Sequence, residues 1–347
     1  MKYFLQKIGY ALLVVFGVVS IVFFLFRGFG DPARLVTGQT GDARTLMNIR
    51  HELYLDKPVW KQYLLYLNDL SPVGVYPIEE LKQRRIPSWH TGGTMVLAIK
   101  WPYLGRSYQT KKDVFQVLMQ ALPGTIVLAC TALLIASILG IGLGILSALK
   151  KGTWIDQTTI IGTIAGISAP SFYMAIIIGY LFGMLWHHQT GLNLTGSLFD
   201  INSHTGERYL ALKNLWLPAI TLGIRPMAII TQLTRSSMLD VLSQDFIRTA
   251  RAKGLPVRQL VWRHALPNAM NPVVTAMTSW LAELLAGAFF VEYIFGWNGM
   301  GRVTVHALEK LDYPVVMGAL LFSAAIFVLI NFLSDMLYRW LDPRISG

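Results

Sequence analysis

Cysteine, charge and every familiar catalytic signature are scarce in this chain, and each scarcity excludes something. The single cysteine, Cys130, can form no disulfide within the chain, so no segment is stapled that way, and a packing role is expected for it. Charged residues make up only 14% of the 347 positions, far below the roughly 25% of soluble domains. No Gly-x-x-x-x-Gly-Lys-Ser/Thr loop occurs, so phosphate-loop ATP hydrolysis is not this chain's chemistry. HExxH, CxxC and nucleophile-elbow patterns are missing as well, and no cluster of catalytic groups replaces them. The pair His187-His188 has no third ligand nearby in sequence, so no metal site is expected.

What fills the chain instead is apolar residues, 54% of the total, gathered into long runs. About 20 helical residues span a bilayer's hydrocarbon. Six runs stand out, at about 8–26, 114–149, 158–185, 214–234, 270–295 and 315–338. The second exceeds a simple crossing; its core is expected from Ala121 to Leu149, with Val114 to Gln120 as an amphipathic lead-in. Lys2 and Lys7 before the first run would suit a signal peptide. Arg27-Gly28-Phe29 follows Phe26 in place of a small-residue cleavage site, which favours an uncleaved anchor.

Basic residues in the short loops set the orientation. With the N-terminus in the cytosol, Lys2, Lys7, Lys150, Lys151, Arg339, Arg344 and all the basic residues from Arg235 to Arg263 lie inside. Only Arg208, Lys213, Arg302 and Lys310 lie in short outer loops. The expectation is an all-α membrane protein with six transmembrane helices and both termini cytosolic. Residues 1–26 form the anchor, 27–113 an extracytoplasmic cap between helices 1 and 2, 114–338 a five-helix core and 339–347 a cytosolic tail. The net charge of +11 then reflects basic loops facing an acidic leaflet, not nucleic acid. Within the cap, turns are expected at Gly28–Pro32 and Ser71–Gly74, and a helix within His51–Leu70, where Trp60, Tyr63, Leu64 and Leu67 recur at helical spacing after Pro58.

Inside the runs, Pro123, Pro170, Pro218 and Pro226 are expected to kink or interrupt helices. Gly140, Gly142 and Gly144 make a small-residue face for close helix approach. Glu283 and Arg225 are ionisable groups at membrane depth, where such groups face a cavity or a partner, so both are candidates for a substrate path. Glu292 and Asp335, near run ends, are expected to be structural.

The most informative stretch is the basic island from Asp245 to Pro272. Phe246, Ile247 and Ala250 give a first short helix an apolar side; Arg248, Arg251 and Lys253 decorate the rest. Gly254 suits a left-handed C-terminal cap, and Pro256 the first turn of a second helix with Val257, Leu260, Val261 and Ala265 at helical spacing. Such a knob fits a groove on a soluble partner; the other reading is a helix lying flat on acidic lipid, which the internal Gly turn disfavours.

The island resembles the EAA loop of ABC importer permeases. Gly254 and Leu266-Pro267 stand at that motif's spacing, while Arg248-Thr249-Ala250 replace its first triplet and His264 its isoleucine. Arg248 to Gly254, Arg263-His264-Ala265-Leu266 and Asn268-Ala269 resemble the dipeptide/oligopeptide branch. So do Leu55–Pro58, Pro170-Ser171-Phe172, Leu217-Pro218-Ala219, Leu233-Thr234-Arg235, Val291-Glu292 with Gly299-Met300-Gly301, Asp312–Val315 and Leu341–Arg344. About 71–105 has no match. The resemblance implies a type I transmembrane fold and a permease moving di- or oligopeptides by alternating access. Its implied partners are a second permease subunit (a related chain in a heterodimer, or a second copy in a homodimer), two cytosolic ATP-binding subunits that carry ATP and Mg, and an extracytoplasmic solute-binding protein. A cytosolic coupling loop at 243–269 would meet the ATPase through Asp245, Arg248, Thr249, Ala250, Arg251, Lys253, Gly254 and Leu255. An importer of nickel or another small solute, and an ATP-independent secondary transporter, are the alternatives.

Overall fold

A computed structural model describes residues 2–28, 47, 50, 54–84, 86–201 and 206–341. The expected turn at Gly28–Pro32 beyond its first residue, and the tail from Asp342 onward, lie outside them. In chain order the helices are α1 (Lys2–Gly28), α2 (Val59–Leu70), α3 (Ile78–Arg84), α4 (Val114–Leu149), α5 (Trp154–Ser168), α6 (Ser171–Tyr180), α7 (Lys213–Leu242), α8 (Asp245–Ala252), α9 (Leu266–Ala286), α10 (Phe289–Ile294), α11 (Met300–Glu309) and α12 (Tyr313–Leu341). Single helical turns at His187–Thr190 and Val257–Gln259 and π-helical stretches at Leu181–Leu185 and Leu260–Ala265 join them. Short strands are β1 (Val73–Pro77), β2 (Ser88–His90), β3 (Met95–Lys100), β4 (Phe199–Ile201) and β5 (Arg208–Leu210).

Helices dominate, but the all-α expectation is corrected by these strands. β1, β3 and β2 form an antiparallel sheet in that order, and β4 pairs with β5. In β3 burial alternates strictly, with Val96, Ala98 and Lys100 inside and Met95, Leu97 and Ile99 outside. That period of two is a strand's signature, hidden in sequence because both faces of Met95–Ile99 are apolar. Lys100 completes the buried face by donating to the carbonyls of Asp69 and Ser71 (2.8 Å to the latter). Burial pulls its pKa down to about 8.

Three described helical segments, Gln6–Gly28, Val114–Leu149 and Tyr313–Met336, are long and apolar enough to cross a membrane. Trp154–Ser168 with Ser171–Leu185 makes a fourth if taken as one span, but it is bent by 108°. The run expected as one helix over 158–185 is therefore broken. Pro170 is the cause: it denies helical geometry to the residue before it, and Ala169 is extended at φ −75°, ψ 126°. Pro123, Pro218 and Pro226, by contrast, sit inside unbroken helices. The run at 270–295 breaks at Gly287, whose φ of +153° only glycine adopts readily.

The chain divides into two compact units, 1–121 with 303–325, and 122–302 with 326–347. In the first, Val114, Leu118, Ala307, Val315, Val316 and Ala319 form one buried cluster, and Tyr76, Leu81, Ile86, Val96, Ala98 and Tyr103 another beneath the sheet. Buried Asp312 gathers the turn at 107–109, accepting from Ser107 Oγ at 2.5 Å and Tyr108 N at 3.0 Å.

In the second unit, α4 and α7 meet almost backbone to backbone. A Cβ on Gly140 would lie 2.9 Å from the Met227 carbonyl, and one on Gly144 2.5 Å from Thr234 Cβ. Gly142 has open space, so the expected three-glycine face is a two-glycine one, as a step of two residues turns a helix through about 200°. Cys130, expected to pack internally, is exposed on α4.

Glu292 explains the Gly299-Met300-Gly301 motif. Its fully buried carboxylate accepts from Thr125 Oγ1 at 2.7 Å and from Gly301 N at 2.7 Å, at the start of α11, while Met300 N donates to Thr125. A Cβ on Gly299 would come within 2.3 Å of that carboxylate, and one on Gly301 within 2.5 Å of the Phe289 backbone. Glu292→Ala strands several buried donors, each worth about 1–3 kcal/mol. Its detergent-solubilised melting temperature is expected to fall sharply, and Gly301→Ala to fall with it; an unchanged melt for both would refute this anchoring role.

Candidate functional site

The basic island folds as a short helix, a glycine turn and a helical return. α8 is strongly two-sided. Ile247 and Ala250 are buried, while Arg248, Thr249, Arg251 and Lys253 are exposed. Asp245 and Arg248 approach to 3.5 Å across one turn but are 95% and 78% exposed, so this ion pair contributes little. Thr249 Oγ1 bonds back to the Asp245 carbonyl at 3.0 Å.

Gly254 has φ +78°, and nothing lies within 4 Å of where its Cβ would be. The turn is closed by Gly254 N to Arg251 O at 2.9 Å and Lys253 N to Thr249 O at 3.1 Å. Glycine is needed here for conformation alone, with no steric demand from neighbours.

After Pro256 the chain does not make a separate second helix that ends at Leu266-Pro267. It runs as one helical path, through Val257–Gln259 and the π turns of Leu260–Ala265, directly into α9. The wider turns come immediately before Pro267, whose ring and missing N–H an α-helical ladder does not accept.

The island's inner side is bound to the long helices. Ile247, Ala250, Leu260, Val261, Ala265 and Ala269 share one buried cluster with Ala148 at the end of α4 and with Met238 and Val241 at the end of α7. Leu255 packs against the same cluster. Its outer side interleaves cations with exposed apolar groups: Arg248, Arg251, Lys253, Arg258 and Arg263 beside Phe246, Val257 and Trp262, the last 60% exposed. Trp262 went unremarked in the sequence because it sits in register with buried Leu260 and Val261; its neighbour Arg263 was the available signal.

A second cluster that sequence reasoning missed lies on the helices that carry the island. Asp156, buried at the start of α5, accepts from Ser147 Oγ at 2.5 Å, Gly152 N at 2.9 Å, and Arg235 Nε and Nη2 at 2.6 and 2.8 Å. One carboxylate thereby ties the end of α4, the turn after it and the end of α7 through a forked, charge-assisted pair. The readable signal was an acid in the first turn of one apolar run and an arginine at the end of another.

The two membrane-depth candidates stand apart from the island. Glu283 on α9 is exposed, and no ion pair joins it to Arg225 among the described residues. Arg225 on α7 is exposed too, its guanidinium 6.0 Å from the Trp280 ring. Glu283 completes an exposed polar stripe along α9, with Asn268, Asn271, Thr275 and Ser279 spaced by three or four residues.

Sequence similarity to known proteins extends over nearly the whole chain. The family model described as "Binding-protein-dependent transport system inner membrane component" matches residues 140–347, and the corresponding N-terminal model matches 1–78. The chain is 37% identical to the probable D,D-dipeptide transport system permease protein DdpB of Escherichia coli K12, over 98% of this chain and 96% of that one. It is 34% identical to the di/tripeptide transport system permease protein DppB of Pseudomonas aeruginosa, over 99% and 98%. It is 32% identical to the glutathione transport system permease protein GsiC of Escherichia coli O6:H1, over 94% of each. Among solved structures, a chain of the inward-facing MetNI methionine ABC transporter is similar at 17% identity and TM-score 0.49, over 65% of this chain and 97% of that one. With one family model covering more than half of its length and relatives aligned from end to end, the chain belongs to the inner membrane components of binding-protein-dependent transport systems.

Proposed function

We propose that the chain is the permease subunit of an ATP-driven ABC importer for di- and oligopeptides, crossing the membrane six times with both termini in the cytosol. In this reading residues 27–113 are the extracytoplasmic cap, 114–338 the permease core and 339–347 the tail. A solute-binding protein delivers peptide from outside, a second related permease completes the path, and two cytosolic subunits bind ATP and Mg. The island at 243–269 is the coupling element, and its outward residues Asp245, Arg248, Thr249, Arg251 and Lys253 meet the ATPase, with Gly254 and Leu255 fixing the turn and Ala250 facing inward.

The observation that carries this is the island's two-sidedness. A force applied to its basic and aromatic outer side reaches the ends of α4, α7 and α9 through one buried cluster. A helix lying on lipid would need no such rigid attachment. Peptide as substrate rests on relatives named for dipeptide, di/tripeptide and glutathione transport; none of these names favours nickel. Lipid does not accept the α9 stripe ending in Glu283, nor Arg225 on α7. Both helices therefore present these faces to water or to the second permease, which makes Glu283 and Arg225 substrate-path candidates.

The test is crosslinking from a cysteine at Thr249 in a Cys130→Ser background, with proteins that co-purify from the membrane. The expected product joins this chain to an ATP-binding subunit, with ATP-dependent uptake of labelled dipeptide in reconstituted vesicles. Uptake by the chain alone without ATP, and no crosslink, would establish a secondary transporter instead.

A further inference from the structure

The first unit holds a two-part pocket unrelated to the coupling island. Its inner part is a cavity of about 130 Å³. The floor is aromatic and aliphatic: Phe23 and Phe26 from α1, Met317 and Leu321 from α12. Its outer part is a polar cleft that shares Tyr54, Arg84, Tyr103, Arg106 and Tyr108 with the cavity and adds Lys57 and Lys111.

Among the described residues, cations outnumber uncommitted acids in this pocket. Asp69 and Glu80 are already committed: Arg84 forks onto Asp69 at 2.8 and 3.1 Å, and Glu80 accepts from Tyr54 at 2.5 Å and from Arg84 at 3.2 Å. Among the described residues, Arg27, at the last turn of α1, has only the neutral amide oxygen of Gln62 as an acceptor, at 2.6 Å. Arg106 is half-buried, and among the described residues no side-chain hydrogen bond or ion pair engages it. Lys57 and Lys111 add charge at the rim against Glu79. Among the described residues, the Tyr66 hydroxyl and Arg84 Nε are buried polar atoms with no hydrogen-bond partner. Burial, with Asp69 nearby, pushes the Tyr66 pKa up, so its phenol stays a neutral donor. Buried donors of this kind are unfavourable unless something accepts from them.

The level of the pocket narrows the choice of ligand. α1 and α12 are both long and apolar enough to cross a membrane, and the cavity takes its floor from the last turns of one and the first turns of the other. That is where a spanning helix leaves the hydrocarbon. Exposed Trp60 and Trp101 in the same unit are the residue type that anchors at this boundary. Apolar floor, donor-rich wall and surplus cations at the mouth, in that order, are the profile of a membrane lipid.

We propose that this pocket holds one anionic phospholipid of the surrounding bilayer, with its phosphate at the guanidinium groups of Arg27 and Arg106 and an acyl chain in the cavity between α1 and α12. Tyr66 donates to the ester or phosphate oxygens. A terminal peptide carboxylate meets the same cations but has no reason to sit over a floor made by two spanning helices.

The experiment is native mass spectrometry of the complete membrane complex, exchanged into mild detergent and titrated with phosphatidylglycerol or phosphatidylethanolamine. The intact complex is expected to retain one phosphatidylglycerol preferentially. Arg106→Gln, which disturbs no internal bond, weakens that binding about tenfold, the scale of one charge-assisted contact. Met317→Trp fills the cavity and abolishes it. Equal binding of the two lipids, or phosphatidylglycerol binding unchanged in Arg106→Gln, overturns the proposal. Displacement by a short apolar peptide with a free C-terminus, with no lipid preference, overturns it too and assigns the pocket to peptide. Arg106→Gln carries the test if Met317→Trp fails to assemble.

Discussion

Gly254→Val is expected to reach the membrane in normal amounts and to lose ATP-driven uptake, by at least about tenfold. The residue's φ of +78° costs an L-amino acid about 1–2 kcal/mol, and a β-branched one more. Open space around the absent Cβ means the whole penalty is conformational, so the turn relaxes by rotating α8 instead of by displacing a neighbour. That rotation re-aims Arg248, Arg251 and Lys253 while leaving Ile247 free to stay in its cluster. A substitution series makes the cause visible. Gly254→Asn should retain most uptake, because asparagine tolerates left-handed geometry, and Gly254→Ala should fall between the two. ATPase activity and uptake measured together in vesicles decide the matter. Equal uptake across the series would dissociate the turn from coupling.

Asp156→Leu should be the most destabilising single change near the island. Asp156 and Arg235 are both largely enclosed, and removing one partner of a buried pair costs about 3–5 kcal/mol because the other charge is left without compensation. The double variant Asp156→Leu with Arg235→Met removes both charges and is expected to recover most of that stability. It does not recover the bonds from Ser147 and Gly152, so the turn between α4 and α5 stays loose. Melting temperature should therefore return while peptide uptake per ATP stays low. If uptake returns together with stability, the carboxylate only holds the fold. If neither changes in the single variant, the network contributes nothing measurable.

Long-range order in the chain was legible where a residue's local chemistry dictates its surroundings. Apolar runs announced the long helices, and Gly254 followed by Pro256 announced the turn in the basic island, because left-handed backbone and a helix start each restrict residue type. Four prolines looked alike in sequence, yet only Pro170 interrupts a helix. Packing on neighbouring helices decides that, and a single chain of letters carries no record of it. The sheet of β1–β3 was hidden because its outer face is as apolar as its inner one. The Asp156 network was hidden for a different reason. Its members are separated by up to 88 positions, between Ser147 and Arg235, and each alone reads as an ordinary helix-end residue. Glu292's position near a run end points to a structural role, and its contacts with Thr125, Gly301 and Arg302 give that role its content.

The glycine contact between α4 and α7 constrains how such a protein can change shape. Where Gly140 and Gly144 let the two helices touch, α4 contributes no side chain, and Ile230 and Thr234 of α7 seat directly on its backbone. A tilt of one helix over the other would press Thr234 and the Met227 carbonyl into backbone, so the two behave as a single strut. Bending is left to the places where helical hydrogen bonding has already been given up. Those are Ala169-Pro170, at the head of the 108° elbow, and Gly287, past the end of α9. Shape change in such a protein is thereby confined to a few breaks in the backbone, while the paired helices move as one piece.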